Sequence, residues 1–230
     1  MKLLAFETAT EACSVALYID GEVYERFDVV PKQHTALALP WAELLLAQAG
    51  LKKSELDAIA VGIGPGAFTG VRLAVALVQG IALALDKPVL PVSTLAALAM
   101  QGADMNHDRI LAAIDARMGE IYCAEFRLNS AGLVEAISEE IVIAPEAYRF
   151  ESSQQIVGVG TGFSASNNAL QANLASQLIA CRAEALPHAA DIARLGAHDF
   201  KLGKAIAPDI LEPAYLRNKV ALTLKEQGKS

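Results

Sequence analysis

Hydrophobic and polar positions alternate over the first thirty residues, and then the period changes. Lys2–Glu7 is a short apolar run, Cys13–Ile19 sets Val15, Leu17 and Ile19 at alternate positions, and Glu22–Val30 places Val23 and Phe27 among charges. A period of two is that of a strand with one buried face, and Asp20-Gly21 between the last two runs is a strong hairpin signal. These residues predict a β-meander that Pro31 ends. From His34 to Ala49 the period lengthens to that of a helix, with Gly50 placed to close it. At about 100° per residue, Leu37, Trp41, Leu44 and Leu45 form one apolar face, and Leu39, Ala42 and Leu46 form a second on nearly the opposite side. A helix laid on one sheet needs one such face, so two faces predict two neighbours.

Asp57–Ile63 is apolar without alternation, as in a strand covered on both sides. The turn Gly64-Pro65-Gly66-Ala67-Phe68-Thr69-Gly70 follows and launches a helix, Gly70–Leu85, that is almost wholly apolar. Its polar residues Arg72 and Gln79 fall close together, which leaves roughly 250° or more of its circumference apolar. Ala76, Gly80 and Ala84 make a ridge of small residues on that surface, flanked by Leu73 and Leu77. Such a ridge permits close approach of a second helix. The surface is predicted either to be sandwiched inside one domain or to meet another protein chain.

Further on, Pro88–Val92 is a short strand, and Ser93 or Thr94 caps a helix reaching Met100. The polar stretch Gln101–Asp108 is the expected boundary. Strands Arg109–Asp115 and Glu120–Leu128 flank a turn at Arg117-Met118-Gly119, another strand lies near Glu140–Ile143, and Ile156–Val159 leads into Gly158-Val159-Gly160-Thr161-Gly162. Ala189–Phe200 is helical and Pro208–Arg217 extended. Each half opens with strands and adds helices, so the expectation is an α/β protein whose halves, 1–104 and 105–217, are distant duplicates, followed by a flexible tail at 218–230.

Composition narrows the function classes. Of the 230 residues, 53% are hydrophobic, above the usual range, and the mean hydropathy is +0.34. The excess has to be buried in a core, an interface or a membrane. No uninterrupted apolar run reaches the roughly 18 residues of a spanning helix, and no signal-peptide pattern opens the chain. The protein is therefore expected in the cytoplasm, without a membrane partner. A net charge of −7 with no basic stripe argues against strong direct binding of RNA or DNA. Cys13, Cys123 and Cys181 are far apart and outside any CxxC spacing, and are expected as buried reduced thiols.

Candidate chemistry is sparse. The Gly64–Gly70 turn has the strand–turn–helix shape of a phosphate cradle, but no Lys follows and Pro65 removes a donor. There is no GxSxG elbow, and no two of His34, His107, His188 and His198 stand at metal-binding spacing. No catalytic set, cofactor site or metal site is expected in this chain.

Several blocks together resemble the TsaB (YeaZ) family, whose members serve the threonylcarbamoyl-adenosine modification of tRNA. They are 4–17 around Glu7-Thr8-Ala9-Thr10, 57–72 containing Gly64, Pro65, Gly66, Phe68, Thr69, Gly70 and Arg72, Ser93–Ala99, Ile114–Arg117 with Glu120-Ile121-Tyr122, and Pro213–Arg217. Glu7 stands where the family usually has Asp, and Ala9 where a hydroxyl or Gly is common. The resemblance implies an actin-like, Hsp70-like and sugar-kinase-like (ASKHA) fold of two related lobes. It implies a non-catalytic scaffold that pairs with TsaD, the subunit holding nucleotide and metal, and is joined by the ATPase TsaE. Pairing, or self-association of the isolated chain, would use the two helices, through Leu37, Trp41, Leu44, Leu45, Leu73, Ala76, Leu77, Gly80 and Ala84. The alternatives are a nucleotide-dependent kinase of the same fold and a glycoprotease-like peptidase.

Overall fold

A computed structural model describes residues 1–150 and 154–217. The meander forms as β1 (Lys2–Glu7), β2 (Ala12–Ile19) and β3 (Glu22–Val29), with Asp20 and Gly21 both at positive φ in the hairpin turn. Next come α1 (His34–Gln48), β4 (Ala58–Gly62), α2 (Phe68–Leu85), β5 (Val89–Val92) and α3 (Thr94–Met100). Gly50, at φ 62°, ends α1 as a Schellman turn, donating to Ala47 O while Leu51 N–H reaches Leu46 O. Ser93 caps α3, its Oγ accepting the Ala96 N–H.

The second sheet contains β6 (Arg109–Arg117), β7 (Glu120–Leu128), β8 (Val134–Ala136), β9 (Ile141–Ile143), β10 (Ile156–Val159) and β11 (Leu178–Arg182). Helix α4 (Ala165–Asn173) joins β10 to β11, and α5 (Ala189–Lys201) follows.

Strand order exposes the internal duplication. The first sheet runs β3-β2-β1-β4-β5 and the second β8-β7-β6-β10-β11, with β9 added on β7. In each, the first three strands are antiparallel neighbours and the last two run parallel to the first. Helices α2 and α4 occupy equivalent crossovers, and α3 and α5 each follow the last strand of their sheet. No helix in the described part of the second half corresponds to α1.

Three apolar clusters follow from this layering. Helices α3 and α5 lie between the sheets, where Leu95, Leu98, Ile192 and Ala193 meet Leu3, Ala5 and Ala60 on one side and Ile110, Ala112 and Phe126 on the other. Helices α1 and α2 cover the far face of the first sheet. The far face of the second sheet is covered by Tyr148, Phe150, Phe163, Leu170 and Leu174. The chain thus returns to the first sheet after crossing the second: α5 packs on β1 to β5, and Leu211 is buried in the α1–α2 layer. The division at 104/105 separates the strands of the two sheets but not the material packed on them. The tail expected at 218–230 lies outside the described residues.

Candidate partner-binding face

The glycines of the Gly64–Gly70 turn are required by close packing. A Cβ on Gly66 would stand 2.4 Å from Ala9 O, and one on Gly70 would stand 2.0 Å from Thr8 O. The turn is clamped on the loop after β1: Ala67 N–H donates to Ala9 O at 2.7 Å, and Thr8 Oγ1 donates to Gly70 O at 2.7 Å. Gly64 N–H donates to Thr94 Oγ1 at 3.1 Å. Pro65 has no N–H, so the donors a phosphate would need at Gly64 and Ala67 are engaged by protein. The equivalent turn after β10 repeats the device, since a Cβ on Gly160 would lie 2.4 Å from Ala113 O.

Glu7 lies under this turn, fully buried. Its Oε1 accepts the Ala9 N–H at 2.6 Å and its Oε2 accepts the Thr94 hydroxyl at 2.9 Å. A Cβ on Gly62 would fall 1.9 Å from Oε2, so the absent side chain there makes room for the longer carboxylate. Burial raises the Glu7 carboxyl to about 7, against the opposing pull of the Ala9, Thr94 and Thr8 hydrogen bonds. His34 aims Nε2 at Thr10 O (3.0 Å) and Ala12 O (3.1 Å). Two carbonyl acceptors require the proton on Nε2, and the ring pins the β1–β2 loop to the start of α1.

Helix α2 buries Val71, Ala74, Val75, Val78 and Ala82 against the sheet. The predicted ridge is on the other side: Ala76, Gly80 and Ala84 are exposed, Leu73 and Leu77 half-buried, and Leu83 61% exposed. A Cβ built on Gly80 meets nothing within 4 Å. By length and composition α2 could span a bilayer, although it lacks an uninterrupted apolar run; here it lies on the sheet with 28% of its residues buried. On α1 the two predicted faces merge. The buried stripe is Ala38, Ala42, Leu45 and Leu46, drawn from the seam between them. Leu45, expected on the partner face, is 3% exposed and belongs to the core; Leu37 and Trp41 are half-buried, and Leu44 is 41% exposed.

The polar edge of α2 is held by the returning chain, an arrangement that the sequence pattern did not reveal. Gln79 Nε2 donates to Pro208 O (3.1 Å) and Leu211 O (3.0 Å), and Ala214 N–H donates to Ile63 O at 2.8 Å. Arg72 lies over the Phe68 ring, Cζ 3.4 Å from its centroid, and donates from Nε to Tyr215 OH at 2.6 Å. Arg217 then reaches the second lobe, pairing with Glu120. The near repeat of spacing between Arg72 and Gln79 was the available signal that something polar runs along this edge.

A cleft of about 580 Å³ separates the lobes, lined among others by Thr10, Pro65, Phe68, Tyr122, Thr161 and Tyr215. Arg117 crosses it, pairing with Asp115 of its own strand and Glu11 of the first lobe, each at 2.8 Å. Among the described residues no group of three or more His, Cys, Asp or Glu could hold a metal ion. Burial pushes the Cys13 and Cys181 thiols up to about 11 and that of Cys123 to about 12, which leaves each without a thiolate at neutral pH.

Residues 28–224 match the family model for TsaD, tRNA N6-adenosine threonylcarbamoyltransferase. The tRNA threonylcarbamoyladenosine biosynthesis protein TsaB of Escherichia coli is 42% identical over 228 residues, covering 96% of each chain. Its counterpart in Haemophilus influenzae is 35% identical over 229 residues, covering 96% of this chain and 95% of that one. The solved structure of YeaZ from Pseudomonas aeruginosa superposes with a TM-score of 0.84 at 38% identity, covering 94% of this chain and 99% of that one. The two-lobed α/β fold expected from the sequence, with a mixed sheet in each lobe, is therefore the fold of this protein. With that fold, and with sequence identity along nearly its whole length, the chain belongs to the TsaB (YeaZ) family.

Proposed function

We propose that this protein is a non-catalytic cytoplasmic subunit of the machinery that makes threonylcarbamoyl-adenosine at position 37 of tRNA, and that it acts by pairing with a TsaD-type transferase through α1 and α2. The observation that carries the reading is the uncovered ridge of α2. Ala76, Gly80 and Ala84 present a small, apolar, open surface between Leu73 and Leu77, on a helix too apolar to be left in water. Leu37, Trp41 and Leu44 extend it onto α1. Nucleotide and metal chemistry falls to the TsaD partner, and a TsaE-type ATPase joins the pair. The elevated thiols, and the engagement of the Gly64 and Ala67 donors by protein, agree with a scaffold role. In isolation the same surface would support a homodimer.

Gly80→Arg places a charge on the ridge without touching the core, and is expected to abolish co-purification with the TsaD-type subunit and tRNA modification in a reconstituted system. Full assembly by this variant would sink the assignment of the face. The cleft keeps a second reading open, a nucleotide-dependent kinase of the same fold. Micromolar binding of ATP with Mg²⁺ to the isolated chain, with turnover of a small acceptor, would favour it over the scaffold.

A further inference from the structure

Helices α1 and α2 carry three ionisable side chains: His34, Glu43 and Arg72. His34 is turned inward onto the β1–β2 loop, and Glu43 pairs with Lys53 at 2.8 Å. Arg72 is different. It is exposed, one helical turn before Ala76 on the edge of the open ridge, and among the described residues no carboxylate pairs with it. Its guanidinium is nevertheless fixed. Phe68 lies beneath its plane, at 3.4 Å from Cζ to the ring centroid, and the Tyr215 hydroxyl accepts its Nε–H. The two terminal nitrogens, the fork that matches a carboxylate, take no part in the Tyr215 hydrogen bond.

An arginine covered by an interface without a counter-charge costs several kcal/mol, because desolvation is then uncompensated. A subunit docking on the ridge has to satisfy Arg72 or forgo that edge. We propose that Arg72, held on Phe68 by Tyr215, receives an aspartate or glutamate side chain of the pairing subunit, and that this ion pair selects that subunit over a second copy of this chain. The proposal rests on the pairing advanced above. A second copy presents the same two helices, whose single carboxylate, Glu43, is engaged by Lys53. On these two helices it therefore offers Arg72 no unpaired acid. A nucleic-acid phosphate would also suit the fork, but the net charge of −7 and the continuity of Arg72 with the apolar ridge favour a protein carboxylate.

Calorimetry with the purified TsaD-type subunit at low and high salt tests this, using wild type, Arg72→Met, Arg72→Lys, Tyr215→Phe and Gly80→Arg. Arg72→Met keeps the apolar stem and is expected to weaken pairing ten- to hundredfold and to flatten its salt dependence. Arg72→Lys should recover only part of the loss, because it lacks the fork, and Tyr215→Phe should weaken pairing a few-fold. Self-association of the isolated chain, measured by sedimentation, should not weaken in Arg72→Met. If Arg72→Met pairs within twofold of wild type while Gly80→Arg does not pair, the ion pair is overturned and the interface stands. If Gly80→Arg also pairs normally, the interface itself falls, and the ion pair with it. If Arg72→Met leaves pairing intact but weakens tRNA binding to the assembled pair, the fork serves a phosphate and the proposal is overturned.

Discussion

At the scale of single residues, a buried and a half-buried glutamate act on stability with opposite signs. Glu7 has a carboxyl raised to about 7, above an ordinary value of 4.5. Between those values the folded chain holds a proton that the unfolded chain has released, so stability falls as pH rises through that window, and the full penalty is present above it. Glu7→Gln removes the charge, and the difference in unfolding free energy between it and wild type, measured by urea titration, should shift in favour of the variant from pH 5 to pH 8 by an amount on the order of 1 to 3 kcal/mol. Glu25 works the other way. Burial pushes its carboxyl up, but the His188, Ser14 and Ala190 hydrogen bonds outweigh that and hold it below the usual range. Its Oε1 accepts the Ala190 N–H at 3.0 Å, while Ser14 Oγ accepts the Ala189 N–H at 2.9 Å. These two residues cap α5 from the neighbouring strands, where His188 supplies no side-chain cap of its own. Glu25→Ala is expected to cost about 2 to 3 kcal/mol at pH 7. The deficit should shrink as pH falls below the ordinary carboxylate range, because protonation removes the same contribution from wild type. Neither role was legible in the sequence, where Glu7 and Glu25 are two carboxylates among 26 acidic residues.

At the scale of elements, helices α1 and α2 were legible from their helical period and β3 from its alternation, whereas β1, β2 and β4 are buried on both faces and were legible as short apolar runs bounded by turns. Helix α4 was not, since Ser166, Asn167 and Asn168 within it lie in the left-handed region and only Leu170 is buried. Strands β8 and β11 were missed for a related reason: they are mostly exposed edge strands, with little alternation to find. The two faces assigned to α1 came from a wheel that could not know where the sheet lay. Leu45 and Ala42 were placed on different faces, yet both line the single buried stripe. Helix α2 provides a paired test of how its glycines differ. Gly70→Ala drives a Cβ into the Thr8 carbonyl and is expected to destabilise the chain by about 2 to 3 kcal/mol, whereas Gly80→Ala meets nothing and should stabilise it by about 0.5 to 1 kcal/mol. Thermal unfolding of the two variants reads both signs. If the ridge is an interface, Gly80→Ala should also weaken pairing even as it raises the midpoint.

At the scale of the whole molecule, the duplication was legible only as two strand-rich halves, because the evidence for it is pairing order, which no local pattern encodes. The return of the chain was hidden for the same reason. Residues 206–217 carry hydrophobic side chains at no regular period, yet they lie along the first lobe after the second is complete. Val89 and Ile206 exchange backbone hydrogen bonds at 2.9 Å, Leu211 enters the core under α2, and Arg217 pairs with Glu120 on the far side of the cleft. The segment therefore belongs energetically to the face that carries α2, although it is more than 120 residues away in sequence. Leu211 is 2% exposed, and its truncation leaves a cavity between the segment and α2. Leu211→Ala is expected to cost about 2 to 4 kcal/mol, which lowers the unfolding midpoint by roughly 4–16 °C for a chain of this size. The loss should be local in origin. Amide exchange should quicken at Gln79 and along α2 before it does in β6 and β7, whereas a segment merely draped on the surface would leave both the midpoint and the α2 amides unchanged.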